Sequence, residues 1–167
     1  TIRLADGIEM TFVRIPAGTF VMGNNRRGSN NSPESVVKIT RPFWISESEV
    51  TNQQFNTVYP DHDSRYTAQF WKDHVGPGYA ANRPQQPVTR ITWNQAKEFC
   101  RVVSERCGVT LDLPTEAQWE WACRAGSNED FWYGDKHADF GKKENLADKT
   151  TLLFAVYGVD PKPMDKS

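Results

Sequence analysis

The sequence predicts an α/β (α+β) domain with little regular secondary structure. Thr-x-x-Gln recurs at three points as a helix-opening signature, and short alternating apolar stretches near the start read as strands. Long connections rich in Pro, Gly, Asn and Asp fill the space between them. A chain of 167 residues suits one domain with a moderate core. The hydrophobic share is 38%, yet aromatics reach 12% with six Trp, so large rings rather than long aliphatic helices supply buried area.

The strands come first. Ile8 to Gly23 reads as two short strands, alternating through Met10, Phe12 and Arg14 and again through Phe20 and Met22, with Pro16-Ala-Gly18 as the turn between them. Asn24 to Pro33 has the composition of a polar surface loop. Val36 to Ile45 returns to β character around Pro42, which donates no ladder hydrogen bond and so implies an edge strand or a bulge.

The helices follow. Thr51-Asn-Gln-Gln54 is a capping box that opens a short helix through Phe55. Thr92-Trp-Asn-Gln95 opens a longer one, with Trp93, Ala96, Phe99, Cys100 and Val103 on one face and Gly108 as the stop. Thr115-Glu-Ala-Gln118 opens the third, which carries Trp119, Trp121 and Ala122 and ends at Gly126. Glu116 and Glu120 sit one turn apart there. They read as a cap-proximal charge and an ion-pair partner for Arg124 rather than an acid/base pair.

Tyr59 to Pro87 is a connection of a length that compact domains reserve for function. Trp71 within it is the candidate groove residue for a substrate, whereas Trp44, Trp93, Trp119, Trp121 and Trp132 read as core. After Gly126 the periodicity dissolves. The final Asp160-Pro-Lys-Pro-Met-Asp-Lys166 reads as the middle of a loop, so the domain is expected to continue past Ser167.

Charge excludes some classes of function. Twenty basic and 21 acidic residues leave a net charge of −1, which makes no electrostatic case for nucleic acid or an anionic membrane. No apolar run approaches the roughly 20 residues of a membrane span. His62, His74 and His137 are scattered and no Cys-x-x-Cys occurs, so no zinc site is expected. Cys100 and Cys107 on one helix would stand roughly 10 Å apart, beyond disulfide reach.

Four segments, in order, carry a resemblance. Met10 to Gly23, Glu49-Val-Thr-Asn-Gln-Gln-Phe55, Pro87 to Cys100 and Leu113-Pro-Thr-Glu-Ala-Gln-Trp-Glu-Trp-Ala-Cys-Arg-Ala-Gly126 resemble the opening hairpin and successive helix segments of the formylglycine-generating-enzyme (sulfatase-modifying factor) family. The resemblance implies a C-type-lectin-like fold, with residues 1–167 forming the N-terminal portion of a single domain. That domain would be incomplete without a C-terminal portion, supplied by a C-terminal fragment or second chain.

The resemblance also implies an activity. Enzymes of the family oxidise a cysteine of a sulfatase-like polypeptide to formylglycine with molecular oxygen and copper, and soft thiolates suit Cu(I). The copper-binding cysteine pair belongs to the family's C-terminal half. None of the three cysteines here matches it, so no catalytic residue is assigned. Cys100 and Cys123 match positions that form disulfides in secreted members, with partners in that same half. The alternative is that both are small buried residues on the core faces of their helices. Asn145, Leu146 and Asp148 match a segment that contributes to a calcium site, and oxygen donors from a loop suit that ion; an Asx turn or helix cap is the alternative. The expected location is secreted or periplasmic in preference to cytoplasmic. A lectin-like binding module without oxidase activity is the competing expectation, since fold alone does not choose a function.

Overall fold

The computed structural model describes residues 1–23, 33–65 and 80–127. Among these, β1 (Ile2–Ala5) and β2 (Ile8–Met10) form an antiparallel hairpin. It turns at Asp6-Gly7, where Gly7 takes φ 70°, a conformation that costs glycine nothing. β3 (Phe12–Ile15), β4 (Gly18–Met22), β5 (Ser35–Ile39) and β6 (Phe43–Ser46) follow. β3 pairs antiparallel with β6, from Phe12 opposite Ser46 to Ile15 opposite Phe43. β4 pairs antiparallel with β5, from Gly18 opposite Ile39 to Met22 opposite Ser35.

This pairing corrects the hairpin expected across Pro16-Ala-Gly18. β3 and β4 are both strands, but each pairs elsewhere, so Pro16-Ala17 is a step from one small sheet to the next. A two-residue hairpin turn needs positive φ at its central positions, and Pro16 is fixed near −65°. The pairing also corrects Pro42. It lies neither at a bulge nor inside an edge strand but in the break between β5 and β6, where its missing N–H costs no ladder bond.

The helices agree with the sequence. α1 (Asn52–Phe55), α2 (Trp93–Cys107) and α3 (Glu116–Arg124) each begin on the expected threonine. In every case its hydroxyl accepts from the third helical N–H, and the glutamine there reaches back to the cap N–H. Gly108 closes α2 with φ 65°. α3 stops one residue earlier than expected, on Ala125 at φ 48°, followed by Gly126 at φ 84°.

Two packing centres result. The main one joins Met10 of β2, Phe55 of α1 and Phe99, Cys100 and Val103 of α2, with Ile2 and Leu4 of β1 against it. Phe55 stacks on Phe99 with ring centroids 5.5 Å apart. Each such buried side chain contributes about 2 kcal/mol. The second centre sets α3 on β4 and β5, with Trp121 packed against Phe20 at 5.3 Å.

Three tryptophans expected in the core are outside it. Trp44, Trp93 and Trp119 are 64%, 67% and 58% exposed. Trp93, at the first turn of α2, lies beside the Lys97 ammonium, 5.7 Å from the ring centre, rather than continuing the stripe of Phe99, Cys100 and Val103. The core-face reading holds for Cys100, which is buried, and fails for Cys123, which is exposed on α3.

Candidate functional site

The long connection between α1 and α2 is anchored from both sides of a single asparagine. Asn52 Nδ2 donates to the carbonyls of Ala81 (2.7 Å) and Arg83 (2.9 Å), while its Oδ1 accepts from Ser64 Oγ (2.6 Å). Its own backbone N–H reaches Gln86 O at 2.9 Å, and Gln53 N–H reaches Pro84 O at 3.0 Å. The first-turn N–H groups that a helix cannot satisfy internally are thus capped by the returning loop. Gln54 completes the anchor by donating from Nε2 to Glu9 O of β2 at 2.7 Å.

Ser64 is fully buried and bridges the loop's two ends. Besides donating to Asn52, its Oγ accepts from Thr89 N–H at 3.0 Å, and Thr89 Oγ1 donates to Ser64 O at 3.3 Å. His62 adds a bond from Nε2 to Thr89 O at 2.9 Å and sets its ring edge-on to Phe55. Its proximity to Ser64 (3.4 Å) does not make a nucleophile–base pair, because the serine proton is committed to Asn52. Asp63 accepts from Arg65 N–H (2.8 Å) and from the Asn82 amide, which holds its carboxyl below the usual carboxylate range. These residues frame an open cleft of about 580 Å³, lined by Tyr59, Asp61, His62, Arg65 and Arg90 among others.

A second framework holds the end of β4. Glu120 Oε1 accepts from Gly23 N–H (2.9 Å) and from Arg124 (2.7 Å), and Arg124 donates onward to Gly23 O at 3.2 Å. The expected Glu120–Arg124 ion pair is present, largely shielded from solvent. The pair also clamps the strand end, which the helix sequence did not signal.

The cysteines are free thiols in different settings. Burial, reinforced by Asp112, pushes the Cys100 thiol above its ordinary value. Cys107 Sγ donates to Arg3 O at 3.3 Å, and Cys123 is exposed. Among the described residues no cluster of three or more His, Cys, Asp or Glu could hold a metal ion. Trp71, Asn145, Leu146 and Asp148 lie outside the described residues. Among the described residues, no helix is long and apolar enough to cross a membrane.

Comparison with known proteins fits this scaffold. The family described as the sulfatase-modifying factor enzyme 1-like domain matches residues 6–155. The formylglycine-generating enzyme of Streptomyces coelicolor is 28% identical over 171 residues, covering 78% of this chain and 52% of the relative. The inactive C-alpha-formylglycine-generating enzyme 2 of Bos taurus is 24% identical, covering 75% and 52%. The chain spans about half the length of the curated relatives it matches. The structure of PvdO from Pseudomonas aeruginosa superposes with a TM-score of 0.58 at 24% identity, over 81% of this chain and 54% of that one, which shows a shared fold. With four diagnostic segments in order, three capped helices where they predict them and a family match across nearly the whole chain, the chain belongs to the sulfatase-modifying factor enzyme 1-like domain family, that of the formylglycine-generating enzymes.

Proposed function

We propose that residues 1–167 are the N-terminal portion of a single C-type-lectin-like domain that oxidises a cysteine of a sulfatase-like polypeptide to formylglycine. The observation that carries this reading is the family match over residues 6–155 together with relatives that bear that enzyme's name. The chain supplies scaffold and substrate-facing loop, and a C-terminal portion, on the same polypeptide or a second chain, supplies the oxidising centre.

The finer assignments follow from the same reading. Trp71 contributes to the substrate groove. Cys123, exposed on α3, is available for a disulfide to the C-terminal portion, and Cys100 for one only where the partner enters the core. Asn145, Leu146 and Asp148 contribute oxygen ligands to a calcium site completed further along. A secreted or periplasmic location agrees with such bridges.

A non-catalytic ligand- or protein-binding module of the same fold is the second reading. It is favoured by relatives named as inactive enzymes in Bos taurus and Mus musculus, at 24% and 25% identity. Peptide-cysteine oxidation by the chain recombined with a C-terminal portion separates the two. Copper-dependent aldehyde formation supports the oxidase, and tight peptide binding without conversion supports the module.

A further inference from the structure

The geometry points to a carboxylate-binding site at the cleft between residues 58–65 and the start of α2, with Arg65 and Arg90 as the recognising pair for an acidic side chain of an extended polypeptide. Both arginines line this cleft. Both also have left-handed backbone, φ 57° and 60°, and only Ala125 shares that property among the described non-glycine residues. A glycine would adopt this conformation without strain, so an arginine there is maintained against a local cost.

The surrounding bonds explain how the conformation is held. Ser64 and Thr89, each immediately before one of the arginines, are joined by Thr89 N–H to Ser64 Oγ (3.0 Å) and Thr89 Oγ1 to Ser64 O (3.3 Å). The Arg65 N–H is fixed by Asp63 at 2.8 Å. Two chain segments far apart in sequence are thereby locked in register, and each delivers an arginine to one cleft. Arg90 is already engaged within the chain, yet a guanidinium has five donors in a planar fork and retains capacity for a second acceptor.

The lining selects the ligand. Asp61 and Asp63 also face the cleft, with His62 and Gln95. A phosphate dianion would meet two carboxylates there, whereas a single carboxylate suits the arginine fork with less repulsion. Val58, Tyr59 and Pro60 provide an apolar wall for the hydrocarbon stem of a glutamate and the adjoining peptide. The cleft, about 580 Å³ and open to solvent, has room for a glutamate side chain and adjoining peptide. This site stands whether or not the domain oxidises anything.

The test uses fluorescently labelled peptides identical except for one central Glu or Gln, titrated with the chain and read by anisotropy. Arg65→Gly and Arg90→Gly remove each guanidinium while fitting the left-handed backbone, and circular dichroism checks that the fold is kept. The Glu peptide is expected to bind about tenfold more tightly than the Gln peptide, with that preference falling with salt and lost in either variant. Equal binding of the two peptides, or a preference that survives both variants, would overturn the site. So would displacement by inorganic phosphate with no measurable binding of the Glu peptide.

Discussion

The indole of Trp121 rests on the α-carbon of Gly18, so closely that a Cβ at that position would stand 2.6 Å from Cζ2. Its Nε1 also donates to Pro16 O at 2.8 Å. One side chain on α3 therefore fixes both the glycine that opens β4 and the carbonyl that turns the chain from sheet to sheet. Gly18→Ala is expected to destabilise by about 2 kcal/mol through overpacking, measured by urea unfolding. Trp121→Phe, which keeps the ring and loses the hydrogen bond, should cost about 1 kcal/mol beyond the lost area. A neutral Gly18→Ala would show that the helix does not sit on the strand.

Asn52 anchors the long loop through two donated bonds and one accepted bond. Asn52→Ala should lower stability by about 3 kcal/mol, because Ser64 is left buried with a lost partner and two carbonyls lose their donor. Asn52→Asp is the sharper variant. A carboxylate cannot donate to Ala81 O or Arg83 O, so the isosteric change should cost as much as alanine. Wild-type stability in Asn52→Asp would remove this anchor from the account.

Acid sensitivity should come from the hydrogen-bonded carboxylates. Asp63 lies below its ordinary 3.8 because of the Arg65 N–H and then Asn82, Asp112 because of Lys97 and then the Leu113 N–H, and Glu98 because of Arg101. A depressed folded value means stabilisation that is complete above the unfolded value and lost as pH falls through the folded one. Chemical-denaturation midpoints should therefore drop below about pH 4, and Asp63→Asn should make that drop shallower. An unchanged pH profile in Asp63→Asn would contradict this.

Thiol reactivity should follow exposure and ionisation. Cys123 is expected to alkylate first, Cys107 next and Cys100 last, the last being buried with its thiol pushed above 9.0 chiefly by that burial. Mass spectrometry of iodoacetamide-treated native chain gives the order site by site. Rapid labelling of Cys100 would mean that the core between α1 and α2 opens readily.

The helices were legible because their signals are local. Each threonine cap and its glutamine lie within four residues, and the reciprocal capping bonds between them are internal to the turn. The strand segments were legible too, but their partners were not. Pro16 and Gly18 look like turn residues, and only Trp121, more than 100 positions away, decides that Gly18 belongs in a strand. The exposure of Trp44, Trp93 and Trp119 is not legible in the sequence, because aromatic content predicts burial in aggregate and not by position. The Arg65 and Arg90 pair was invisible for a related reason. No residue type announces a left-handed arginine, and their adjacency depends on the Ser64–Thr89 bonds across the loop.

The central proposal is that this chain provides the scaffold of an oxidase whose copper centre lies in a complementary portion. The direct measurement is conversion of a cysteine-containing sulfatase peptide to its aldehyde, followed by mass spectrometry with copper and oxygen. It compares the 167-residue chain alone, a C-terminal portion from a formylglycine-generating relative alone, and the two together. Conversion is expected only in the mixture, and only with copper. Conversion by the chain alone, or none in a mixture shown to associate, would contradict it.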